Sequence, residues 1–510
     1  MKHLSLARLA PAVLTAAALA LTAPAAVAQD RPLVIVGQTF IAGGLDPAVG
    51  SAGWALVSHG IAEQLFTVSH EGDVVPRLAT GAERVDDTTW TVTLAEGRAF
   101  SDGTPVTADA VAAALNRTGA ENPAARASAG RLTATATDTL TLRIETERPT
   151  PILPSILAEW AMPIYHLPEG DAAGDLAGEP VFTGPFAVAS FDPDARIRLA
   201  PNPYFPQAEA RPEIDLIRVA DPQALALGLM AGELDLAFNL PVEMLPMIAA
   251  RDGLTVRTFP VEYQYMMWMN TRRGALADPQ VRLAIDRAIN RTDLARAARG
   301  GIPATGAFPA HFPFAATTGT DFDAAEAARL LDAAGWEGGA DGLRRKDGQA
   351  LALTLWAYPQ RPDLITFQPV VRAQLEALGI TVETRVTESP TEAARGGDFD
   401  LFLWAQHTAP AGDPAFFLSL FLGSEGANNY SGWSDPRFDA LLTELAAEGD
   451  MDRRGDLSRQ AQAVVAEGAP VAFLLTPEWH VGLSARLADY AAWGSDYYVI
   501  RDDFGLGLAE

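Results

Sequence analysis

The sequence predicts an α/β protein, and three observations support that prediction. The chain of 510 residues has a globular composition, with 48% hydrophobic residues. Its first third contains segments in which apolar and polar residues alternate, which is typical of antiparallel strands. Its second half alternates short apolar strands with capped amphipathic helices, which is the pattern of an open α/β sheet.

The first residues have the features of a secretory signal. Lys2 and Arg8 precede an apolar run over residues 9–21, and a small-x-small cleavage site follows at residues 26–28. We therefore expect residues 1–28 to be a signal peptide. No later segment reaches the roughly 20 apolar residues of a membrane-spanning helix without charges or prolines, so we expect a soluble periplasmic protein.

Cysteine content and charge exclude several classes of function. The chain has no cysteine, which excludes a lipid anchor on cysteine, disulfides, zinc thiolates and thiol catalysis. Its formal net charge of -26 repels phosphate backbones, so we expect no nucleic-acid partner. Seven scattered histidines without close ligand spacing also predict no direct metal site.

The N-terminal part is predicted to open with a strand and a helix. Residues 32–39 are apolar and β-branched, and the Gly- and Pro-rich loop after them cannot continue the strand. Val57, Ile61 and Leu65 share one helical face, which predicts a helix over residues 56–66 beneath that loop.

Residues 83–147 are predicted to form an antiparallel sheet with a helix between its strands. Alternating apolar and polar residues predict strands at 90–94 and 140–144. Between them, the turn at Asp102-Gly103 leads into a helix for which Thr107 is the predicted N-cap.

In the second half, capped helices alternate with apolar strands. Two helices are predicted to begin after the capping residues Asp278 and Asp323. Strands at 351–356 and 399–404 flank a helical segment at residues 365–379. In such a sheet, ligands bind beyond the carboxyl ends of the strands.

Five segments occur in a fixed order across nearly the whole chain. They are "WTVTLAEGRAFSDGTPVTADAV" from Trp90, "FTGPFAVASFDPDARIRLAPNPYF" from Phe182, "GELD" from Gly232, "MNTRRGALADPQVRLAIDRAINR" from Met269 and "NYSGWSDPRFDALL" from Asn429. Together they resemble the peptide/nickel class (family 5) of ABC-transporter periplasmic solute-binding proteins. Within them, Gly184-Pro185 is predicted to fix the backbone at the start of a strand.

The resemblance implies an α/β, two-lobed periplasmic-binding-protein fold with an extra subdomain inserted in the first lobe. Lobe one would comprise residues 30–70, 180–260 and 485–510. Residues 71–179 would be the inserted subdomain, and residues 261–484 would be lobe two. Two crossovers would join the lobes, which would close on a ligand by hinge motion.

The resemblance also implies the substrate-binding component of an ABC importer. The protein would capture a small peptide or peptide-like solute and deliver it to a permease and ATPase complex in the inner membrane. We expect a monomer that needs no cofactor. Alternatives are binding of a nickel or other metal chelate, such as a histidine or metallophore complex, a ligand-presenting sensor or chaperone, and a periplasmic hydrolase. The sequence has no recognisable catalytic motif, so we expect no enzymatic activity.

The predicted polar contacts lie around the end of the strand at 399–404. This strand ends at Trp404 and leads into a loop that holds His407, Thr408 and Asp413. Because the loop follows a carboxyl strand end, His407 is the first candidate for a polar ligand contact. The alternative is a hydrogen-bonded structural histidine, because imidazole suits either role.

Further candidates come from aromatic residues and one arginine. Tyr358 and Arg361 follow the strand at 351–356, and Arg361 could pair bidentately with a ligand carboxylate. Trp404, Tyr430 and Trp54 could line a cleft, and the alternative for each is packing in the core.

The members of this family differ in the ligand they bind, and the chain matches neither of two ligand-binding loops fully. In the dipeptide binders, a loop aspartate shortly before the "GDP" step pairs with the ligand amine, and here Pro410 and Ala411 occupy that stretch. Asp413 or another acid would then replace that aspartate. In the nickel-chelate binders, tryptophan and tyrosine occupy this loop, where the chain has Thr408 and Gly412. The stretch "TAPAGDPAFFL" is also similar to binders of nickel-histidine or opine-type metallophore complexes.

Overall fold

The computed structural model describes residues 32–69, 73–126, 130–166, 180–318, 321–491 and 498–508. The predicted signal peptide, residues 1–28, lies outside the described residues. Parts of the predicted subdomain boundaries, near residues 71 and 179, lie outside them too. Within the described ranges, none of the helices is both long and apolar enough to cross a membrane.

The described residues contain 24 β-strands. They are β1 (Leu33–Gln38), β2 (Phe66–Val68), β3 (Val74–Pro76), β4 (Ala79–Arg84), β5 (Thr89–Leu94), β6 (Leu132–Asp138), β7 (Thr141–Thr146), β8 (Tyr165–His166), β9 (Val181–Phe182), β10 (Phe186–Asp192), β11 (Arg196–Pro201), β12 (Glu213–Arg218), β13 (Leu236–Phe238), β14 (Leu254–Pro260), β15 (Tyr263–Met269), β16 (Ile302–Pro303), β17 (Glu337–Gly338), β18 (Arg344–Lys346), β19 (Gln349–Ala350), β20 (Ala352–Ala357), β21 (Thr381–Val386), β22 (Leu401–His407), β23 (Val471–Thr476) and β24 (Glu478–Ser484).

The described residues contain 13 α-helices. They are α1 (Ala52–Ser58), α2 (Ala108–Glu121), α3 (Leu153–Ile156), α4 (Pro222–Ala231), α5 (Leu245–Ala249), α6 (Pro279–Ala288), α7 (Arg291–Ala298), α8 (Ala324–Ala333), α9 (Pro362–Glu376), α10 (Pro390–Gly396), α11 (Ala415–Phe417), α12 (Pro436–Ala447) and α13 (Met451–Gly468).

Seven strands form a first mixed sheet in the order β10-β11-β12-β1-β13-β24-β14. Strand β1 runs parallel to β12 and β13, and the other neighbours in the sheet are antiparallel. The side chains of Val34 and Val36 are fully buried, which explains the apolar, β-branched composition of this central strand. The strand predicted at residues 32–39 is confirmed.

Six strands form a second mixed sheet in the order β16-β23-β15-β22-β20-β21. Strand β20 is parallel to β21 and β22, so the carboxyl ends of these three strands lie at one edge. Strand β15 is antiparallel to β22 and therefore begins at that same edge. The alternation of strands and helices predicted for the second half is confirmed.

The predicted helix caps are also present. The Asp278 side chain accepts a hydrogen bond from the Gln280 N–H at 2.9 Å, and the Asp323 side chain accepts one from the Glu326 N–H at 2.9 Å. Each bond satisfies one of the N–H groups that a helix N-terminus leaves without an intrahelical partner. These helices, α6 and α8, pack against each other.

Strands β4 to β7 form a separate antiparallel sheet in the order β4-β5-β7-β6, with α2 packed against β6. Thr107 caps α2 as predicted, because its hydroxyl accepts from the Ala110 N–H at 3.3 Å. From α2, Arg117 donates two hydrogen bonds of 2.7 Å to the carboxylate of Asp46. This buried arginine ties the sheet to the loop that follows β1.

The helix predicted over residues 56–66 is wrong in its extent. Helix α1 ends at Ser58, and Phe66 already belongs to β2. Gly60 adopts a positive φ of 66°, and a Cβ added there would lie 2.8 Å from the carbonyl oxygen of Ile500. Ile61 and Leu65 are fully buried in a non-helical turn, so their spacing reflects burial rather than a helix. The carbonyl group that packs against this turn belongs to a segment more than 400 residues away in sequence.

Two crossovers connect the sheets. The chain leaves β14 and enters β15 through Val261 and Glu262, and it returns from β23 to β24 through Pro477. Residues 478–484 pair with β13 and β14 in the first sheet, whereas the sequence analysis placed the whole of 261–484 in the second lobe. The end of the second lobe therefore lies at Pro477 and not at residue 484. The apolar pattern of residues 478–484 predicts a strand, but it does not indicate which of the two sheets the strand joins.

Gly184 provides a test of the packing at the start of β10. A Cβ at this position would lie 2.5 Å from the carbonyl oxygens of Gly60 and Ile61. We expect Gly184→Ala to lower the free energy of unfolding by about 1–3 kcal/mol, because the backbone must shift to admit the methyl group. Urea unfolding measures the change. Gly81→Ala is the matched control, since nothing lies within 4 Å of its added Cβ, and equal destabilisation by both variants would contradict the argument.

Candidate functional site

The carboxyl edge of the second sheet brings several predicted residues together. Tyr263, the first residue of β15, is paired with His407, the last residue of β22. The neighbouring parallel strand β20 ends at this edge and leads to Tyr358 and Arg361. Because the crossover residue Glu262 immediately precedes Tyr263, this edge faces the first sheet.

His407 is held at this edge as a neutral imidazole. Its ring packs edge-on against Tyr263 with the ring centroids 4.6 Å apart, and its side chain is only 15% exposed. Burial lowers the pKa of His407 to about 3, and the positive charge of Arg361 contributes to that shift. The Nδ1 atom lies 3.5 Å from Oε1 of Glu262. A neutral imidazole can donate a hydrogen bond from one nitrogen and accept one, or bind a metal, through the other.

Arg361 lies beside the same tyrosine. Its Nε donates a hydrogen bond of 2.7 Å to the hydroxyl of Tyr263, and its guanidinium lies 5.3 Å from the centroid of that ring. The residue occupies the N-cap position of α9, directly after the turn that follows β20. The structure therefore confirms that Arg361 follows this strand, and it groups Arg361 with His407 through Tyr263.

Three predicted aromatic residues form a layer behind the edge. Trp404 packs against Tyr358 and Tyr430 with ring centroids 5.4 Å and 5.0 Å apart, and all three side chains are buried. The hydroxyl of Tyr358 accepts a hydrogen bond from the Ala405 N–H at 3.1 Å. These contacts are those of core residues that support the edge, and a ligand contact by any of the three stays a prediction.

Trp54 and Thr408 carry buried polar atoms. Trp54, in α1, stacks on Phe40 with ring centroids 4.4 Å apart, and its Nε1 has no hydrogen-bond partner among the described residues. Thr408 is fully buried, and within the described ranges its hydroxyl has no partner either. Because buried polar groups are nearly always hydrogen-bonded, both atoms remain candidates for contact with water or ligand.

Asp413 has a structural role that the sequence analysis did not foresee. Its two carboxylate oxygens accept hydrogen bonds of 2.8 Å and 2.7 Å from Arg454, and one of them also accepts from the Ala415 N–H. Arg454 further donates to the carbonyl oxygens of Leu445 and Glu448. Three hydrogen bonds from the protein thus engage the carboxylate, and the role of Asp413 in place of the missing amine anchor stays a prediction.

A cavity of about 120 Å³ extends from this loop, with Asp413 in its wall. Residues 148–159, which follow β7 of the inserted sheet, form one side, and residues 411–420, which follow β22, form the other. One water needs about 10–15 Å³ of such volume, so the cavity can hold a group several times larger than a water molecule. Because its two sides follow strands of different sheets, the cavity lies between the first-sheet half of the molecule and the second-sheet half.

Two residues at the crossover, Glu262 and Tyr263, were not predicted from the sequence. Glu262 is buried beside His407, and Tyr263 contacts both His407 and Arg361. Burial raises the pKa of Tyr498, whose hydroxyl bonds Thr67 and which lies near Glu262. The sequence shows here an apolar strand that begins directly after "PVE". That pattern predicts the strand, but it does not indicate that the chain passes from one sheet to the other at this point.

The two sheets, their paired crossovers and the cavity between them define a two-lobed α/β binding protein with a subdomain inserted in the first lobe. The chain belongs to the bacterial extracellular solute-binding proteins, family 5, because the model of the family's middle region matches residues 73–429. Family members are periplasmic or extracellular solute-binding proteins. The predicted family, fold class and solute-binding function are confirmed.

Known proteins resemble the chain over most of its length. The glutathione-binding protein GsiB of Salmonella typhi is 26% identical over 472 residues, which cover 88% of this chain and 89% of that protein. The periplasmic murein peptide-binding protein MppA of Escherichia coli K12 is 24% identical over 489 residues, or 86% and 88%. The crystal structure of a nickel ABC transporter from Bacillus halodurans is 28% identical, has a TM-score of 0.76 and covers 92% of this chain and 99% of that one.

The role of Asp413 can be tested by its removal. Asp413→Ala leaves the buried Arg454 without its counter-ion, so we expect a loss of about 3–5 kcal/mol in the free energy of unfolding. Asp456→Ala, which removes an exposed partner of Arg459, is the matched control and should cost less than about 1 kcal/mol. Urea unfolding measures both values. A loss for Asp413→Ala as small as that of the control would contradict the structural role.

The burial of His407 predicts a dependence of stability on pH. In the unfolded chain a histidine titrates near its ordinary pKa of about 6.5. Between this value and the folded pKa of about 3, the unfolded state binds one more proton, so the free energy of unfolding falls as the pH falls. Buried His59, with its pKa also lowered to about 3, adds a second such contribution.

His407→Gln should therefore reduce the number of protons taken up on unfolding by about one, while the contribution of His59 remains. Urea unfolding at a series of pH values between 4 and 7 measures that number as the slope of stability against pH. An unchanged slope in a folded variant would show that His407 is not buried as a neutral imidazole.

Proposed function

We propose that this chain is the periplasmic substrate-binding component of an ABC importer and that it captures a small peptide or peptide-like solute. The arrangement of Arg361 at the inner edge of the second lobe, beside Tyr263 and His407, carries the proposal. Glutathione-binding and murein-peptide-binding relatives support it. Residues 1–28 would direct the chain to the periplasm, where it would act as a monomer without a cofactor.

Arg361 would bind the ligand carboxylate. Guanidinium is planar and always charged, and its paired N–H groups match the geometry of a carboxylate. Tyr263 holds the Arg361 side chain by a hydrogen bond of 2.7 Å, so less side-chain entropy is lost when a ligand binds. His407, neutral and next to the same ring, would provide a hydrogen bond without adding charge.

Capture would proceed by hinge closure. A ligand that touches both lobes stabilises the closed arrangement by the difference in its affinity for the closed and open forms. The closed form would then dock on the permease and its ATPase. This cycle needs no covalent step, so intact ligand should be recovered from the complex. Release of hydrolysis products would instead support a periplasmic hydrolase.

Calorimetry with paired peptides tests the proposal. We expect a tripeptide with a free carboxylate to bind at least about tenfold more tightly than the same peptide as a C-terminal amide, because the amide loses the charged hydrogen bonds. Arg361→Gln should abolish that difference. Arg372→Gln, on the exposed face of the same helix, is the matched control and should preserve it.

Two results would contradict the peptide proposal. One is the absence of binding by any peptide of a broad di- and tripeptide set. The other is binding in which Arg361→Gln, while folded, leaves the preference for the free carboxylate unchanged.

A nickel or other metal chelate is the second candidate ligand. The neutral imidazole of His407 favours it, because such a nitrogen can complete the coordination of a metal that is already held by a chelator. Among the described residues, no three His, Asp or Glu side chains are grouped as a metal site. Similarity to a nickel ABC transporter structure also supports this candidate. Native mass spectrometry with metal analysis distinguishes the two, because a chelate would bring one metal ion per chain.

A further inference from the structure

The cavity beside Asp413 has walls from both lobes. Pro149, Ile152 and Ile156 line it from the subdomain side, and Ala415, Phe416 and Leu420 line it from the second lobe. The two sides approach closely at the rim, where a Cβ built on Gly449 would lie 3.4 Å from Cβ of Pro151. A group that fills this cavity would therefore contact both lobes at once.

The charged groups in the cavity wall balance one another. Arg148 and Glu159 carry opposite charges, and the carboxylate of Asp413 is matched by Arg454. Arg148 also donates to the carbonyl oxygen of Arg126 at 3.1 Å. The formal charges of these four groups sum to zero, so the cavity wall carries no net formal charge.

From this geometry we infer that the cavity is the subsite for a bulky apolar side chain of the ligand. This inference rests on the proposed function and narrows it to peptides that carry at least one residue of the size of leucine or phenylalanine. Transfer of such a side chain from water into an apolar cavity is favourable in proportion to the area buried. The ligand charges would be bound at the strand edge beside Arg361, outside this cavity.

Two neighbouring alanines of α12 provide a matched test. Ala446 lines the cavity, whereas Ala447 does not, and both side chains are exposed to solvent. Ala446→Trp would place a large ring at the cavity mouth without disturbing the core. Ala447→Trp adds the same ring to the same helix and serves as the control for its general effects.

The probes are trialanine and the three tripeptides that contain one phenylalanine and two alanines, with binding measured by calorimetry. We expect at least one phenylalanine peptide to bind wild-type protein about tenfold or more tightly than trialanine does. Ala446→Trp should bring that affinity to within about threefold of trialanine, because the ring competes for the same space. It should leave trialanine itself unchanged, and Ala447→Trp should change neither.

The outcomes separate this inference from the proposed function. Equal affinities of wild-type protein for trialanine and all phenylalanine peptides would overturn the apolar subsite while peptide capture stands. An Ala446→Trp variant that keeps the full preference for phenylalanine would overturn it as well. Binding of none of the four peptides would overturn the proposed function, and the subsite with it.

Discussion

The two crossover segments are hydrogen-bonded to each other, and the position of the candidate site depends on that pairing. The Val261 N–H donates to the carbonyl oxygen of Pro477 at 3.2 Å, and the Thr476 hydroxyl donates to Oε1 of Gln264 at 3.3 Å. Strands β1, β13 and β14 all have their carboxyl ends on the same side of the first sheet, and β14 leads from there into the crossover. The carboxyl edges of both sheets therefore meet at the crossovers. Ligands of α/β sheets bind at such edges, so the connectivity determines where a site can form before any side chain is considered.

Buried ion pairs hold the parts of the molecule around that site. Arg117 with Asp46 joins the subdomain to the loop after β1, and Arg454 with Asp413 fixes the loop after β22. Such pairs gain little net stability because both charges lose their hydration, but removal of one partner is costly. They therefore act as geometric constraints. Each acidic residue in such a pair has its charge balanced by an arginine of the same chain, even though the chain has a net charge of -26.

Local structure could be predicted from the sequence, whereas pairings between distant segments could not. The caps Thr107, Asp278 and Asp323 depend on backbone within three residues, and each is confirmed. The predicted helix at 56–66 was wrong in its extent because Gly60 has a left-handed φ of 66°, at a position where Ile500 packs closely. In the same way, the carboxylate that His407 faces comes from Glu262, 145 positions earlier in the chain, and Arg454 engages Asp413 from 41 positions away.

These features suggest how closure and recognition are coupled. The hydrogen bonds between the crossovers lie where the lobes join, so a hinge motion about the crossovers would not need to break them. On the proposed closure, the difference between open and closed forms would come from contacts that a ligand makes with both lobes, as in the cavity whose two sides belong to different lobes. A ligand that binds the strand edge alone would be held without closing the protein. A ligand that also fills the cavity would favour the closed form of the protein. The charged group of the ligand would then determine its initial binding, and the apolar group of the ligand would determine whether the lobes close for delivery to the permease.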